Sequence, residues 1–473
     1  MLSSASGPGL RREGLLKLRL QRLTLLGGAF TAIAVVGVLF AELMLYGGDS
    51  PQVSLFFSSL QLTALGLLVI FSPWARSALA RQSMLQLPSL LFLLLLVWCF
   101  IQIMPLAWEP PANSWAHVPG RNVITIDIYA SWVETMKLAG LGALTLIGVA
   151  LGRDDDRAHV AWNTLGVLGG LYALWAVIDH LAPGAHPAGA MRGQLQASLG
   201  GPNAAATVLA IFAVIAWTAI LRAAVSLPHR HGASIQSLQA TLISASPWVV
   251  LLLLSLGALS LTGSRGGAGA CFCGLIASTL TMVWGERRNR ASIWIILGAT
   301  LLAVVCFVVL IVASGATSAR LGRVDFILAN RSEILSIYQS RLGDAPWTGF
   351  GLGTFRRFNL LLIAPGQNEV LWNLGAMHNV ALQWIFEAGW PGAALMFATV
   401  ASLVVIILGG LQRRRFGRTW IAGSMAITTV VLTHGLVDIS LQSPAIAGFW
   451  ALALGVGAGV SRPAKRASSA SAD

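Results

Sequence analysis

His378 and Asn379 stand side by side at the start of an apolar stretch, with Glu387, Gly389 and Gly392 following on the same segment. Arg265 is set in Ser264-Arg265-Gly266-Gly267, Asn203 follows Gly201-Pro202, and His434 and Asp438 have the i,i+4 spacing that puts both on one helix face. Histidine is the side chain whose ordinary pKa best suits it to take a proton near neutral pH. The arginine fork grips phosphate oxygens in pairs, and flanking glycines leave room for a ligand to approach the backbone. One base with several arginines suits a hydroxyl attacking a lipid-linked phosphate donor. Further arginines, Arg320, Arg323, Arg331 and Arg341, gather in one segment between apolar stretches. His434 with Asp438 has a second reading, a polar clasp between helices.

The elements that must position these groups are membrane helices. Of 473 residues, 56% are apolar and 10% charged, against about 25% charged in a soluble protein. Mean hydropathy is +0.74. A water-facing surface cannot be built from this composition, so the fold class is an all-α polytopic membrane protein. A bilayer core takes about 20 apolar residues per helix, and twelve stretches qualify: 27–46, 53–72, 86–106, 135–152, 158–182, 203–222, 243–262, 266–284, 292–314, 377–408, 420–439 and 441–460. The first is too long for a signal-peptide core and is read as an anchor. Between the seventh and eighth, only Thr262 to Gly267 interrupts the apolar run.

Charge placement orients these helices. The net charge of +13 and a pI near 10.9 would suggest a nucleic-acid binder if read without context. Twenty-one of the thirty-one basic residues, however, fall on one side of a twelve-span layout. The positive-inside rule then places both termini in the cytoplasm, and no nucleic-acid partner is needed. The expected organisation is a basic cytoplasmic N-terminus over 1–26, helices one to nine over 27–314, an outer loop over 315–376, helices ten to twelve over 377–460, and a cytoplasmic tail over 461–473. The acidic run Asp154-Asp155-Asp156 falls on the inner side.

The long outer loop is expected to be an ordered helical lid. It mixes arginines with aromatic and aliphatic residues, and Arg331 to Leu342 has amphipathic helical spacing. Gly349-Phe350-Gly351-Leu352-Gly353 lacks the preceding strand and the third glycine offset of a nucleotide loop, so a tight, close-packed turn is expected. Cys99, Cys271, Cys273 and Cys306 fall inside spans and read as small packing residues.

Together these residues resemble the O-antigen ligase and polymerase family, which includes the Wzy-type polysaccharide polymerases and the bacterial O-oligosaccharyltransferases. His378-Asn379, nine residues, Gly389, two residues, Gly392 fits the family's ligase motif at every specified position. Ser264-Arg265-Gly266 is similar to its Ser-Arg-Gly turn, and Gly201-Pro202-Asn203 to its Asn-Pro-Asn element, with Gly201 in place of the first Asn. Arg331 to Phe355 resembles an outer-loop block, and His434 to Asp438 with Leu441-Gln442-Ser443-Pro444 a C-terminal block. Gly269 stands where the family often has leucine four residues after its arginine, and Arg331 to Leu335 also has that spacing. Either arginine can therefore answer the motif.

The resemblance implies a GT-C-like, metal-independent, inverting glycosyltransferase on the periplasmic face of a bacterial inner membrane. It implies no cofactor, an undecaprenyl-pyrophosphate-linked glycan donor, and a saccharide or lipid A–core acceptor. On that reading His378 is the general base and Arg265 stabilises the leaving pyrophosphate. Arg331, Arg320, Arg323, Arg341, Asn203, Asn379, His434 and Asp438 would bind substrate. Transfer to protein hydroxyls is an alternative within the family. A transporter or flippase of lipid-linked sugars is another, although it should show internal repeats and a midplane site. The sequence has no convincing repeat, and its polar groups gather on one face.

Overall fold

The computed structural model describes residues 8–80, 83–106, 122–182, 194–226, 235–285, 290–313, 333–363, 371–372, 374–414 and 417–462. These residues form fifteen helices and no strand. In chain order they are α1 (Pro8–Met44), α2 (Pro51–Phe71), α3 (Pro73–Ala80), α4 (Gln86–Ile103), α5 (Ile128–Gly152), α6 (Asp155–Leu181), α7 (Pro202–Ser226), α8 (Ile235–Thr262), α9 (Arg265–Gly285), α10 (Arg290–Ala313), α11 (333–340), α12 (Phe355–Leu362), α13 (Val380–Arg413), α14 (Arg418–Gly435) and α15 (Pro444–Val460). The chain is a polytopic helical membrane protein. Nine helices among the described residues are long and apolar enough to cross a membrane, and α15 together with the Ile296–Val309 part of α10 adds two shorter apolar segments. Each of the twelve expected apolar stretches coincides with a helix, although α14 is not among those long and apolar enough to cross a membrane.

Local sequence explains the boundaries. The narrow break between α8 and α9 is made at Gly263, with φ +63°. There Thr262 Oγ1 accepts the Ser264 amide at 3.1 Å, and Ser264 Oγ accepts the Gly267 amide at 3.2 Å. Two side-chain oxygens thus satisfy backbone donors that a continuous helix would have paired. The Asp154-Asp155-Asp156 run starts α6: Asp154 Oδ1 accepts the Arg157 amide at 3.1 Å, and the next two acids sit in the first turn, where the helix dipole favours negative charge. Asp127 caps α5 in the same way, taking the Ala130 amide at 3.1 Å. That cap starts the helix at Ile128, seven residues before the apolar stretch itself.

The bundle is organised around α7, in which every residue from Ala205 to Ala216 is buried. A helix apolar all round belongs in the interior, and α7 carries Asn203 and Thr207 at the entrance to it. Elsewhere, small residues let backbones touch. Gly148 and Gly152 of α5 face Gly455 and Gly459 of α15 so closely that a Cβ on any of them would strike the opposing backbone.

One end of the bundle is held by basic groups. The Arg157 guanidinium lies 4.2 Å over the Trp74 ring and that of Arg222 lies 4.9 Å over Trp420, while Arg414 pairs with Asp155. These residues all belong to segments expected on the inner face. The opposite end brings together the start of α7, the turn between α8 and α9, the start of α13 and the segment after α14. Above them a second core of Ile334, Tyr338, Phe350, Phe355, Phe358, Met377 and Phe386 fastens α11 and α12 to the start of α13. The amphipathic expectation for this loop is met where the structure describes it: Ile334 and Tyr338, one turn apart on α11, are buried, and Glu333 and Ser336 face outward.

Candidate active site

The expected site residues meet at that second end. Asn203 Nδ2 donates to Asp438 Oδ2 at 2.6 Å. One turn along α7, Thr207 Oγ1 lies 2.7 Å from His434 Nδ1. Asp438 also accepts the Ser440 hydroxyl at 2.5 Å and the Ser440 amide at 3.0 Å. His434 is 2% exposed and Asp438 1%, so their polar atoms must be satisfied inside the protein. The i,i+4 pair does act as a clasp between α7 and the end of α14.

Arg265 opens α9 directly beside this clasp. A Cβ built on Gly266 would stand 3.0 Å from His434 Nε2, and one on Gly267 would overlap the Ala206 side chain. The clearance that these glycines provide is therefore filled by α14 and α7, not by open space for a ligand. Their smallness seats the Arg265 turn against the imidazole. Arg265 itself is half-buried and has no hydrogen-bond or ion-pair partner among the described residues. The turn that carries it is seated against a buried histidine.

His378 and Asn379 reach the same place from the other side. Asn379 caps α13, its Oδ1 accepting the Leu382 amide at 3.0 Å. Its Nδ2 donates 3.1 Å to the Leu436 carbonyl, two residues beyond His434. A single amide thus starts α13 and ties it to the segment after α14. His378 just before it has φ +56°, a left-handed conformation that non-glycine residues enter at a cost of about 1–3 kcal/mol. Such strain persists only where the surroundings enforce it. Here the buried Met377 on one side and the Asn379 cap on the other do so.

The remaining half of the His378 motif is architectural. Gly389 breaks α13 with φ +69° and ψ 178°, and the break frees two carbonyls and an amide that the 347–353 loop uses. Phe350 donates to the Phe386 carbonyl at 2.8 Å, Gly351 to the Glu387 carbonyl at 2.9 Å, and Trp390 to the Trp347 carbonyl at 3.1 Å. The Glu387 carboxylate is 5% exposed and accepts the Gly353 and Phe355 amides at 2.9 and 3.2 Å and the Gln383 side chain at 3.0 Å. The glycine run is the close-packed turn expected of it. In α11, burial pushes the Tyr338 phenol up from its ordinary range, and it stays a donor, 2.6 Å from Asn359 Oδ1.

Arg341 lies just after α11. Arg320, Arg323 and Arg331 lie outside the described residues. Thr207 and Ser440 complete the clasp and were not singled out in the sequence; an i,i+4 step from Asn203 would have pointed to Thr207. A cavity of about 940 Å³ lies between α2, α4, α5, α13 and α15. Its polar lining, with Glu42, Gln61, Glu134 and Lys137, was also passed over. Isolated ionisable or amide groups within apolar stretches were the signal for it. Cys99, Cys271 and Cys273 are free. No group of three or more His, Cys, Asp or Glu able to hold a metal occurs among the described residues.

Residues 250–397 match a family model described as O-antigen ligase. The match spans α9 with Arg265, the sequence positions of Arg331 and Arg341, and the start of α13 with His378 and Asn379. Asn203, His434 and Asp438 lie outside it. No curated protein matches the chain.

Proposed function

We propose that this chain, whose residues 250–397 match a family model described as O-antigen ligase, transfers or polymerises glycan from an undecaprenyl-pyrophosphate-linked donor onto a hydroxyl acceptor. The reaction is placed on the periplasmic face of a bacterial inner membrane, with both termini cytoplasmic. The observation that carries the reading is the meeting of three distant segments: Gly266 packs on His434, and Asn379 bonds to Leu436. The Arg265 turn, the His434–Asp438 clasp and the strained His378 therefore share one end of the bundle.

In the proposed step the acceptor oxygen attacks the anomeric carbon. The bond from that carbon to the pyrophosphate breaks, and undecaprenyl pyrophosphate leaves with the electron pair. The acceptor proton goes to His378, whose left-handed backbone fixes where its ring can stand. Arg265, with no carboxylate partner among the described residues, faces the growing negative charge on the leaving group. The loop arginines Arg320, Arg323, Arg331 and Arg341 bind the remaining phosphate and sugar oxygens, and Asn203, Asp438 and His434 hold the end of α14. Single displacement inverts the anomeric centre. The charges required are supplied by side chains, so no metal or cofactor is assigned a role.

The test offers purified protein a defined lipid-linked repeat unit, with and without lipid A–core. His378→Ala is expected to lower transfer by about a hundredfold or more, the usual worth of a general base, and Arg265→Ala by a similar amount. Folded, inserted variants that retain full transfer would refute the catalytic reading. Donor movement across the bilayer with no new glycosidic bond would replace it with a transporter. Polymer formed without lipid A–core identifies a polymerase, transfer only in its presence a ligase, and transfer to added protein the third family activity.

A further inference from the structure

We propose that the basic end of the bundle, opposite the end that carries Arg265, holds the phosphate of an anionic phospholipid. An acyl chain of that lipid lies in the apolar half of the cavity between α2, α4, α5, α13 and α15. The site makes no use of His378 or Arg265 and goes beyond the transfer reaction. Four arginines from distant segments converge there: Arg153 follows α5, Arg413 ends α13, Arg414 comes next, and Arg462 lies beyond α15. Arg462 Nη2 donates to Ser83 Oγ at 3.0 Å, and Arg413 Nη1 lies 3.3 Å from Met84 Sδ, both in the turn before α4. Arg153 Nη1 donates to the Arg462 carbonyl at 3.5 Å. Burial first, then the like charges of Arg462 and Arg414, holds the Arg153 guanidinium below its ordinary range. Residues that only orient a membrane protein need to stand on one side of it; they gain nothing by crowding together.

Carboxylates do not cancel this charge. Asp155 pairs with Arg414 and Asp154 with Arg157 at 3.6 Å, while Asp156 lies toward Arg157 and His159 on α6. Arg153 and Arg413 have no carboxylate partner among the described residues, and the Arg414 Nε is buried without an acceptor among them. Guanidinium forks grip phosphate oxygens in pairs. Apolar room adjoins them. Val149, one turn before Arg153 on α5, and Leu85, two residues after Ser83, both line the cavity, as do Leu403 of α13 and Leu454 of α15. At about 940 Å³ the cavity is at the large end of ligand pockets, which run to about 1,000 Å³. Leu93 lines it and is 57% exposed, so the wall at α4 meets the bilayer and a chain can enter from the side. A water-soluble phosphate has no use for this apolar room, and a donor with its pyrophosphate at Arg265 has its charge at the opposite end. A phospholipid of the leaflet at the basic end meets both halves.

Full-length protein in a neutral detergent is to be titrated with dioleoyl phosphatidylglycerol, the lipid-bound species being counted by native mass spectrometry. Dioleoyl phosphatidylcholine, with the same chains and no net charge, should bind about tenfold more weakly, a difference near 1.4 kcal/mol. Arg153→Gln and Arg413→Gln should each weaken phosphatidylglycerol binding about fivefold, near the worth of one basic residue against an anionic membrane. Arg76→Gln should leave it unchanged, since Arg76 is exposed on α3, which the Arg157–Trp74 contact places at the same end. Leu403→Trp, which narrows the apolar room, should weaken binding as well; the comparison of lipids on unaltered protein does not depend on any variant folding. Equal binding of the two lipids, or an equal loss from Arg76→Gln, overturns the site in favour of a diffuse basic surface. Displacement by glycerol phosphate, the head without its chains, overturns it in favour of a soluble phosphate. His378→Ala and Arg265→Ala proteins should bind the lipid as the unaltered protein does; a loss there would put the lipid at the transfer site instead and overturn the assignment.

Discussion

Gly266 holds the Arg265 turn against His434 so closely that a Cβ at that position would stand 3.0 Å from Nε2 of the imidazole. The contact is made between α9 and α14, which are far apart in sequence, and it seats the turn that carries Arg265 against a buried histidine. Gly266→Ala should therefore shift the ring by a few tenths of an ångström. Overpacking of this kind costs about 1–3 kcal/mol, partly offset by alanine's better helix propensity. The expected outcome is a folded protein with Tm lowered by a few degrees at most but with glycan transfer reduced several-fold. Equal transfer by the alanine variant would show that the Arg265–His434 spacing is not critical.

Asn203 is the polar link between α7 and the segment after α14. Its 2.6 Å bond to Asp438 is made to a side chain that is 1% exposed, so removing the amide strands a buried carboxylate oxygen. Asn203→Ala should cost about 1–3 kcal/mol. Asn203→Asp should cost more, because it sets two carboxylates within hydrogen-bond distance of each other. Thermal unfolding in detergent checks the order: unaltered protein, then alanine, then aspartate. An aspartate variant as stable as the alanine one would show that the Asn203–Asp438 contact does not decide the stability of this end of the bundle.

Much of this arrangement was legible because membrane helices write themselves in long apolar runs, and helices occur at all twelve. The Arg265 turn, His378-Asn379 and the His434–Asp438 pair stood out as polar groups where polar groups are costly. What could not be read was which contacts the glycines serve. Gly266 and Gly267 looked like room for a ligand, but α14 and α7 occupy that room, since a missing side chain in sequence does not say what fills its place. The caps at Asp127 and Asp154 shifted helix starts because a carboxylate can pair backbone amides ahead of the apolar run. The cavity went unseen because its lining comes from helices scattered along the chain, each contributing only one or two polar side chains.

Glu387 anchors the lid through three donors, the Gly353 and Phe355 amides and the Gln383 side chain. Glu387→Gln keeps the shape but replaces one acceptor oxygen by an NH₂, so a donor then faces a donor. Loss of one buried amide's partner is worth about 1–3 kcal/mol, which raises local opening by roughly tenfold to a hundredfold. Hydrogen exchange should therefore quicken at the 350–358 segment while α7 stays protected. Unchanged exchange in that segment would show that the backbone pairing to α13 alone holds the lid.

Gly389 is where the lid and the membrane helix are joined. Its φ of +69° is one that side-chain-bearing residues reach only with strain, and a Cβ there would overlap the Trp347 carbonyl oxygen and the Thr348 backbone. Gly349 faces it with φ +76°, and its own Cβ would strike the Glu387 carbonyl. The two glycines thus permit a backbone-to-backbone contact that no larger residue can make. Gly389→Ala combines conformational strain of about 1–3 kcal/mol with a similar overpacking cost. The expected result is release of the 347–353 turn, seen as new proteolytic cleavage there and loss of transfer, while α13 stays helical because alanine favours the straight helix. By contrast Gly409, with nothing near its Cβ position, should accept alanine without loss of stability or transfer. A Gly389→Ala protein that resists protease as well as the Gly409→Ala protein would refute the joint.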